Sequence, residues 1–159
     1  MLRARSVGLE PALVPLVFVA MNVVSAACSY PVGRLSDRLG RHGLLGVGFS
    51  VLIAADLVLA WSSGIGGVMA GVGLWGLHAG MTQGLLTALV ADTAPPDLRG
   101  TAFGLFNLAS GIALLAASVL AGGLWTALGP AATFEAGAVF PALALAGLGI
   151  LGPRRPRSS

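Results

Sequence analysis

Apolar residues fill long uninterrupted stretches of this chain, and polar residues are confined to short gaps between them. A helix crossing a bilayer needs about 20 mostly apolar residues. Five stretches meet that need, at about 11–30, 44–61, 65–91, 101–125 and 131–151. Backbone facing lipid must satisfy its hydrogen bonds within the segment, so each stretch is expected to be a helix. The gaps are short. Ser62-Ser63-Gly64 separates the second and third stretches, residues 92–100 the third and fourth, and Leu128-Gly129-Pro130 the last two. Pro95 and Pro96 cannot continue a helix, and Asp97 is a candidate cap for the next one. The expected fold class is therefore an all-α membrane protein with five transmembrane helices.

Composition agrees. Hydrophobic residues make up 56% of the 159 positions and charged residues 9%, against about 25% charged in soluble domains. That deficit excludes a water-soluble bundle. All nine basic residues are arginine, a bias typical of GC-rich bacterial genomes. They lie in gaps and tails, where they set membrane orientation, so the basic balance does not point to nucleic acid. The single cysteine, Cys28, lies in an apolar run and implies no disulfide framework. It is expected to be buried and inert.

Arginine placement predicts orientation. Arg34, Arg38 and Arg41 follow the first stretch, Arg99 precedes the fourth, and Arg154, Arg155 and Arg157 lie in the tail. Five spans put all of these on one side, leaving only Arg3 and Arg5 on the other. The carboxyl terminus is then cytoplasmic and the amino terminus outside.

Between the first two stretches, residues 33–43 read G-R-L-S-D-R-L-G-R-H-G. Gly33 and Gly40 allow a tight reversal. Asp37 can accept from N–H groups at a helix amino end. Arg38 and Arg41 can pair with carboxylates or anionic headgroups. This loop resembles the G-x-x-x-D-R-x-G-R-[KR] signature of the major facilitator superfamily (MFS), with His42 where that family usually has Arg or Lys. Pro96-Asp97-Leu98-Arg99-Gly100-Thr101-Ala102-Phe103-Gly104, leading to Phe106-Asn107 and later to Ala121-Gly122-Gly123-Leu124-Trp125, resembles the eleventh helix of bacterial drug-efflux-type members.

The resemblance covers nearly the whole chain. It implies the eighth to twelfth helices of a twelve-helix MFS transporter, an incomplete half of that fold. It also implies a secondary carrier working by alternating access around a midplane site, in a bacterial inner membrane and proton-coupled, with a small-molecule solute as its ligand. The partners are the lipid bilayer and the amino-terminal half, without which the chain is expected to be inactive. The loop residues Gly33, Asp37, Arg38, Gly40 and Arg41, with Arg99, are then expected to form a cytoplasmic latch. Two other readings fit: a half-transporter subunit that assembles with a separate amino-terminal part, and a non-transporting membrane interaction or regulatory protein.

In the third stretch Gly76, Gly80 and Gly84 repeat every four residues and form one stripe suited to close helix packing. Gln83 and Thr87 fall near it, and His78 and Thr82 opposite. The family's tenth helix lines the central cavity, so His78, Thr82 and Gln83 are candidate cavity residues. His78 is also a candidate proton carrier. Asn107 and Ser110 in the fourth stretch are candidates by the same resemblance. Asp56 is an intramembrane carboxylate near the outer end of its stretch, expected to snorkel or to pair within the bundle. Trp61 and Trp125 are expected interface anchors.

No phosphate-binding loop is present, and two histidines and one cysteine assemble no plausible metal site. No cofactor is expected, and no enzyme activity.

Overall fold

The computed structural model describes residues 2–151, with the side chains of residues 2, 5, 37–39 and 151 excepted. The Arg154, Arg155 and Arg157 expectation lies outside the described residues. The described chain is helical throughout, with no strand. A short α1 (Leu2–Ser6) leads through a 3-10 turn (Pro11–Leu13) into α2 (Val14–Leu39). Then come α3 (Arg41–Trp61), α4 (Ile65–Thr93), a second 3-10 turn (Pro96–Leu98) and α5 (Arg99–Leu151).

Two boundaries differ from the sequence expectation. Pro31 does not end α2, which runs on to Leu39, so Gly33 and Asp37 are helical positions and not part of a loop. Proline within a membrane helix is tolerated when neighbours satisfy the freed carbonyl. The reversal falls at Gly40 alone, where φ is 76° and ψ 148°. The last two expected helices form one element, α5, bent at Gly129 (φ 85°, ψ −177°) into arms 99–128 and 130–151. Trp125 and Phe134 pack edge-to-face across that bend with ring centroids 6.4 Å apart.

Three segments are long and apolar enough to cross a membrane: Pro11–Ser36, Arg41–Trp61 and Pro96–Ile150. The five expected stretches reduce to three partly because α5 joins two of them. In addition α4, though 29 residues long, is diluted by its glycines and by His78, Thr82 and Gln83.

α4 is the centre of the assembly, packed on one side by α2 and on the other by α3, whose far side meets α5. Glycine makes the first contact close. A Cβ at Gly76 would lie 2.5 Å from the Met21 carbonyl oxygen of α2, and one at Gly80 would collide with that of Ser25. Gly84, the third member of the stripe, faces open space. On the α3 side, a Cβ at Gly48 would lie 2.7 Å from Thr82 Cγ2. Leu44, Leu45, Met81 and Leu85 form a buried cluster near the Arg41 end of this contact. Ala4, Val17, Leu59 and Val68 form another at the Trp61 end. The first arm of α5 is different, being exposed at every position from 107 to 123.

Candidate functional site

At the Arg41 end, the reversal at Gly40 starts α3 with Arg41 facing the last turns of α4. Arg41 Nη1 donates to the Ala88 carbonyl at 3.2 Å and pairs with the Asp92 carboxylate. A cation at a helix carboxyl end is favoured by the helix dipole as well as by the carboxylate. The guanidinium is about one-third exposed and Asp92 more so. A pair of that exposure contributes roughly 0–1 kcal/mol, so it can open and close readily. A double-mutant cycle with Arg41→Gln and Asp92→Asn is expected to give a coupling energy below about 1 kcal/mol, shrinking as salt is raised. A coupling of several kcal/mol would show a rigid clamp instead.

Asp92 is the partner that sequence reading missed, because it was assigned only to a connecting segment. Gly33 is exposed in the helix and Arg99 is exposed at the first position of α5. The side chains of Asp37 and Arg38 lie outside the described residues.

The cavity candidates separate by helix face. His78 Nδ1 donates to the Gly48 carbonyl of α3 at 2.8 Å. A carbonyl has no hydrogen to give, so Nδ1 carries a proton. Phe49 and Trp75 flank the imidazole at 6.4 and 6.5 Å. Thr82 is buried, its hydroxyl donating to the His78 carbonyl at 2.9 Å. Both residues thus lie in the α3–α4 contact. Gln83, Asn107 and Ser110 are exposed.

A different set of residues lines a half-open space. Towards the Trp61 end, α1, α2, α3, α4 and both arms of α5 contribute to a cavity of about 600 Å³. None of His78, Thr82, Gln83, Asn107 and Ser110 lines it. Its wall is apolar and aromatic, with Asp56 of α3 in it. Asp56 is 6% exposed. The Trp75 indole faces its carboxylate, and a Cβ at Gly137 of α5 would lie 3.2 Å from Asp56 Oδ2. Arg3 also lines it, and its guanidinium donates to the Leu59 carbonyl at 2.9 Å, to Ala60 at 3.3 Å and to Ser62. These carbonyls are the unpaired acceptors at the carboxyl end of α3. Trp61 Nε1 donates to Glu135 Oε1 at 3.1 Å and ties α3 to the second arm of α5.

The sequence matches a known family over nearly its full length. The family model described as Major Facilitator Superfamily matches residues 2–159. An uncharacterized MFS-type transporter of Methanocaldococcus jannaschii is 33% identical over 128 residues, covering 80% of this chain and 32% of that protein. The inner membrane transport protein YajR of Escherichia coli strain K12 is 30% identical over 113 residues, covering 71% of this chain and 24% of that protein. Monosaccharide-sensing protein 2 of Arabidopsis thaliana is 31% identical over 86 residues, covering 52% of this chain and 11% of that protein. The chain therefore spans about a third or less of the length of these relatives.

Proposed function

The chain belongs to the major facilitator superfamily, and on that premise we propose that it forms the carboxyl-terminal part of a secondary carrier that moves a small solute by alternating access. It is a multi-pass membrane protein. The observation that carries the proposal is the Arg41–Asp92 pair. The arginine of the signature loop holds the end of the central helix through a contact weak enough to break in every cycle. A ligand can shift such an equilibrium only by its differential affinity for the two states, so a low-energy latch suits a carrier.

In this reading α2, α3, α4 and the two arms of α5 are five spans, equivalent to the eighth to twelfth of the family. The Gly40 reversal and the carboxyl end are cytoplasmic, and the Trp61 end faces outward across a bacterial inner membrane. A proton is the coupling ion, and the efflux direction follows the drug-efflux resemblance. Gly33, Asp37, Arg38, Gly40, Arg41 and Arg99 serve the latch. His78, Thr82, Gln83, Asn107 and Ser110 serve the path between halves, with the exposed first arm of α5 facing the other half.

The test combines topology with transport. In a Cys28→Ser background, single cysteines at Ser63 and Leu128 are expected to react with a membrane-impermeant maleimide from outside, and cysteines at His42 and Asp97 only after lysis. In proteoliposomes, this chain alone is expected to show no saturable counterflow of sugars, amino acids or organic amines. Joined to the amino-terminal helices of a family member, it is expected to restore counterflow that Arg41→Ala reduces by up to about fivefold, the most that losing a pair worth under about 1 kcal/mol in one state can cost. Saturable counterflow by the 159-residue chain alone would sink the part-of-a-carrier reading. Absence of counterflow in the joined protein, with the topology intact, would sink the carrier reading itself.

A further inference from the structure

Five residues, Leu2–Ser6, make up α1. Isolated helices shorter than about 12–15 residues are marginal in water, so α1 is helical only because of what holds it. We infer that α1 is a strap that fastens the Trp61 end of the bundle, with Arg3 as its catch, and that it releases as a unit while the longer helices stay folded.

Three restraints hold the strap. The first is the way α1 ends. Gly8 has a φ of 91°, and the Leu9 N–H donates to the Ala4 carbonyl at 3.1 Å. With Ser6 as the last helical residue, Gly8 and Leu9 stand where a Schellman motif places its left-handed glycine and its closing donor. The second restraint is packing. Ala4 is 2% exposed and shares a cluster with Val17 of α2, Leu59 of α3 and Val68 of α4, with Val7 and Leu9 packed beside it. The third is Arg3, whose guanidinium reaches the Leu59, Ala60 and Ser62 carbonyls. A guanidinium carries several donors in a fixed fork, so one side chain satisfies acceptors that the end of α3 leaves without partners. The helix dipole favours a cation there as well.

Both ends of the bundle are thus fastened by an arginine at a helix carboxyl end. Arg41 of α3 reaches Ala88 and Asp92 of α4, and Arg3 of α1 reaches the end of α3. The attachments differ in what else supports them. Leu44 and Leu45, buried on the α4 contact, back the helix that carries Arg41. Among the described side chains of α1, Ala4 alone is buried. Hydrogen bonds to a charged group are stronger than neutral ones, so Arg3 supplies a large share of what holds α1. It supplies little of what holds α2, α3 and α4, whose close contacts run through Gly48, Gly76 and Gly80. A segment with so few buried contacts opens at lower free energy than the core it lies on.

The strap does not depend on the carrier reading. The test is hydrogen exchange, read by mass spectrometry on the purified chain in lipid nanodiscs, over residues 2–9, 58–63 and 68–85. In the parent, residues 2–9 are expected to exchange more slowly than in a synthetic peptide of residues 1–10. Arg3→Gln is expected to speed exchange of residues 2–9 about tenfold or more, and of residues 58–63 several-fold, with residues 68–85 unchanged. Arg3→Lys, which keeps the charge but loses the fork, is expected to restore part of the protection. Gly8→Ala removes no charge and meets nothing within 4 Å. It is nevertheless expected to speed residues 2–9 about threefold or more, because its φ is left-handed. Exchange of residues 2–9 at the rate of the free peptide in the parent, or at the parent's rate in Arg3→Gln, would overturn the proposal. Equal acceleration of all three segments in the two variants would also overturn it, by showing that α1 opens only with the whole fold.

Discussion

Gly80→Val is expected to lower the stability of the protein clearly, whereas Gly84→Val, one helical turn further along the same stripe, is expected to be nearly silent. The reason lies in what each position touches. A Cβ at Gly80 would collide with the Ser25 carbonyl of α2, and backbone cannot rotate aside as a side chain can. Gly76 meets the same wall one turn earlier, at the Met21 carbonyl. Overpacking a tight contact costs about 1–3 kcal/mol, and here α2 as a whole must move away from α4. For a chain of this size that corresponds to a melting temperature lower by roughly 2–12 °C, or to loss of the protein where its reserve is small. Gly84 has open space before it, and a substitution there is expected to shift melting by less than about 2 °C. Thermal melts in detergent, read from the fluorescence of Trp61, Trp75 and Trp125, check both. Equal effects at the two positions would mean that α2 and α4 are not in backbone contact.

This pair of outcomes also marks how far the sequence could be read. The four-residue spacing of Gly76, Gly80 and Gly84 identifies a packing stripe, because it depends only on helix geometry. It does not say where along the stripe the partner helix departs, which depends on the crossing of α2. The same division holds elsewhere. The class of the protein and its family were legible, since both rest on composition and on the residues of the 33–43 motif. The end of the first helix was not. Pro31 is a helix breaker in water, but in an apolar segment the chain gains more by keeping its remaining backbone bonds inside the helix.

The cavity was the least legible part. Asp56 was visible as an intramembrane acid, yet its surroundings come from segments as distant as Val17, Trp75 and Phe140, and no local pattern joins them. Asp92 was hidden differently. It belongs to α4 by structure, and its role depends on the arginine that the Gly40 reversal brings opposite. His78 and Thr82 were correctly separated from the glycine stripe by helical spacing. That spacing could not tell a face packed on Gly48 of α3 from a face lining an open path.

Gly129 is expected to be the most sensitive position for the shape of the protein, through conformation alone. Its φ of 85° and ψ of −177° lie in a region open essentially to glycine, where another residue costs about 1–3 kcal/mol. Nothing lies within 4 Å of a Cβ built there, so packing contributes no part of the penalty. The mirror image of this conformation is extended backbone that any L-residue adopts, and a D-residue therefore fits Gly129 without strain. Gly129→Ala is expected to splay the two arms of α5, while D-alanine introduced at 129 by ligation keeps them in place. The second arm packs on α3 where a Cβ at Gly46 would lie 3.5 Å from Leu145 Cδ1. Cysteines at Gly46 and Leu145, in the Cys28→Ser background, report that contact as oxidative cross-linking. The L-alanine protein is expected to cross-link several-fold more slowly and to melt about 2–12 °C lower, and the D-alanine protein to behave as the parent. Phe134, Gly137 and Phe140 of the cavity wall belong to the second arm, so a splayed arm also widens the cavity. Equal behaviour of the L- and D-alanine proteins would show that the bend is set by Pro130 and by the helix packing, with the left-handed glycine incidental.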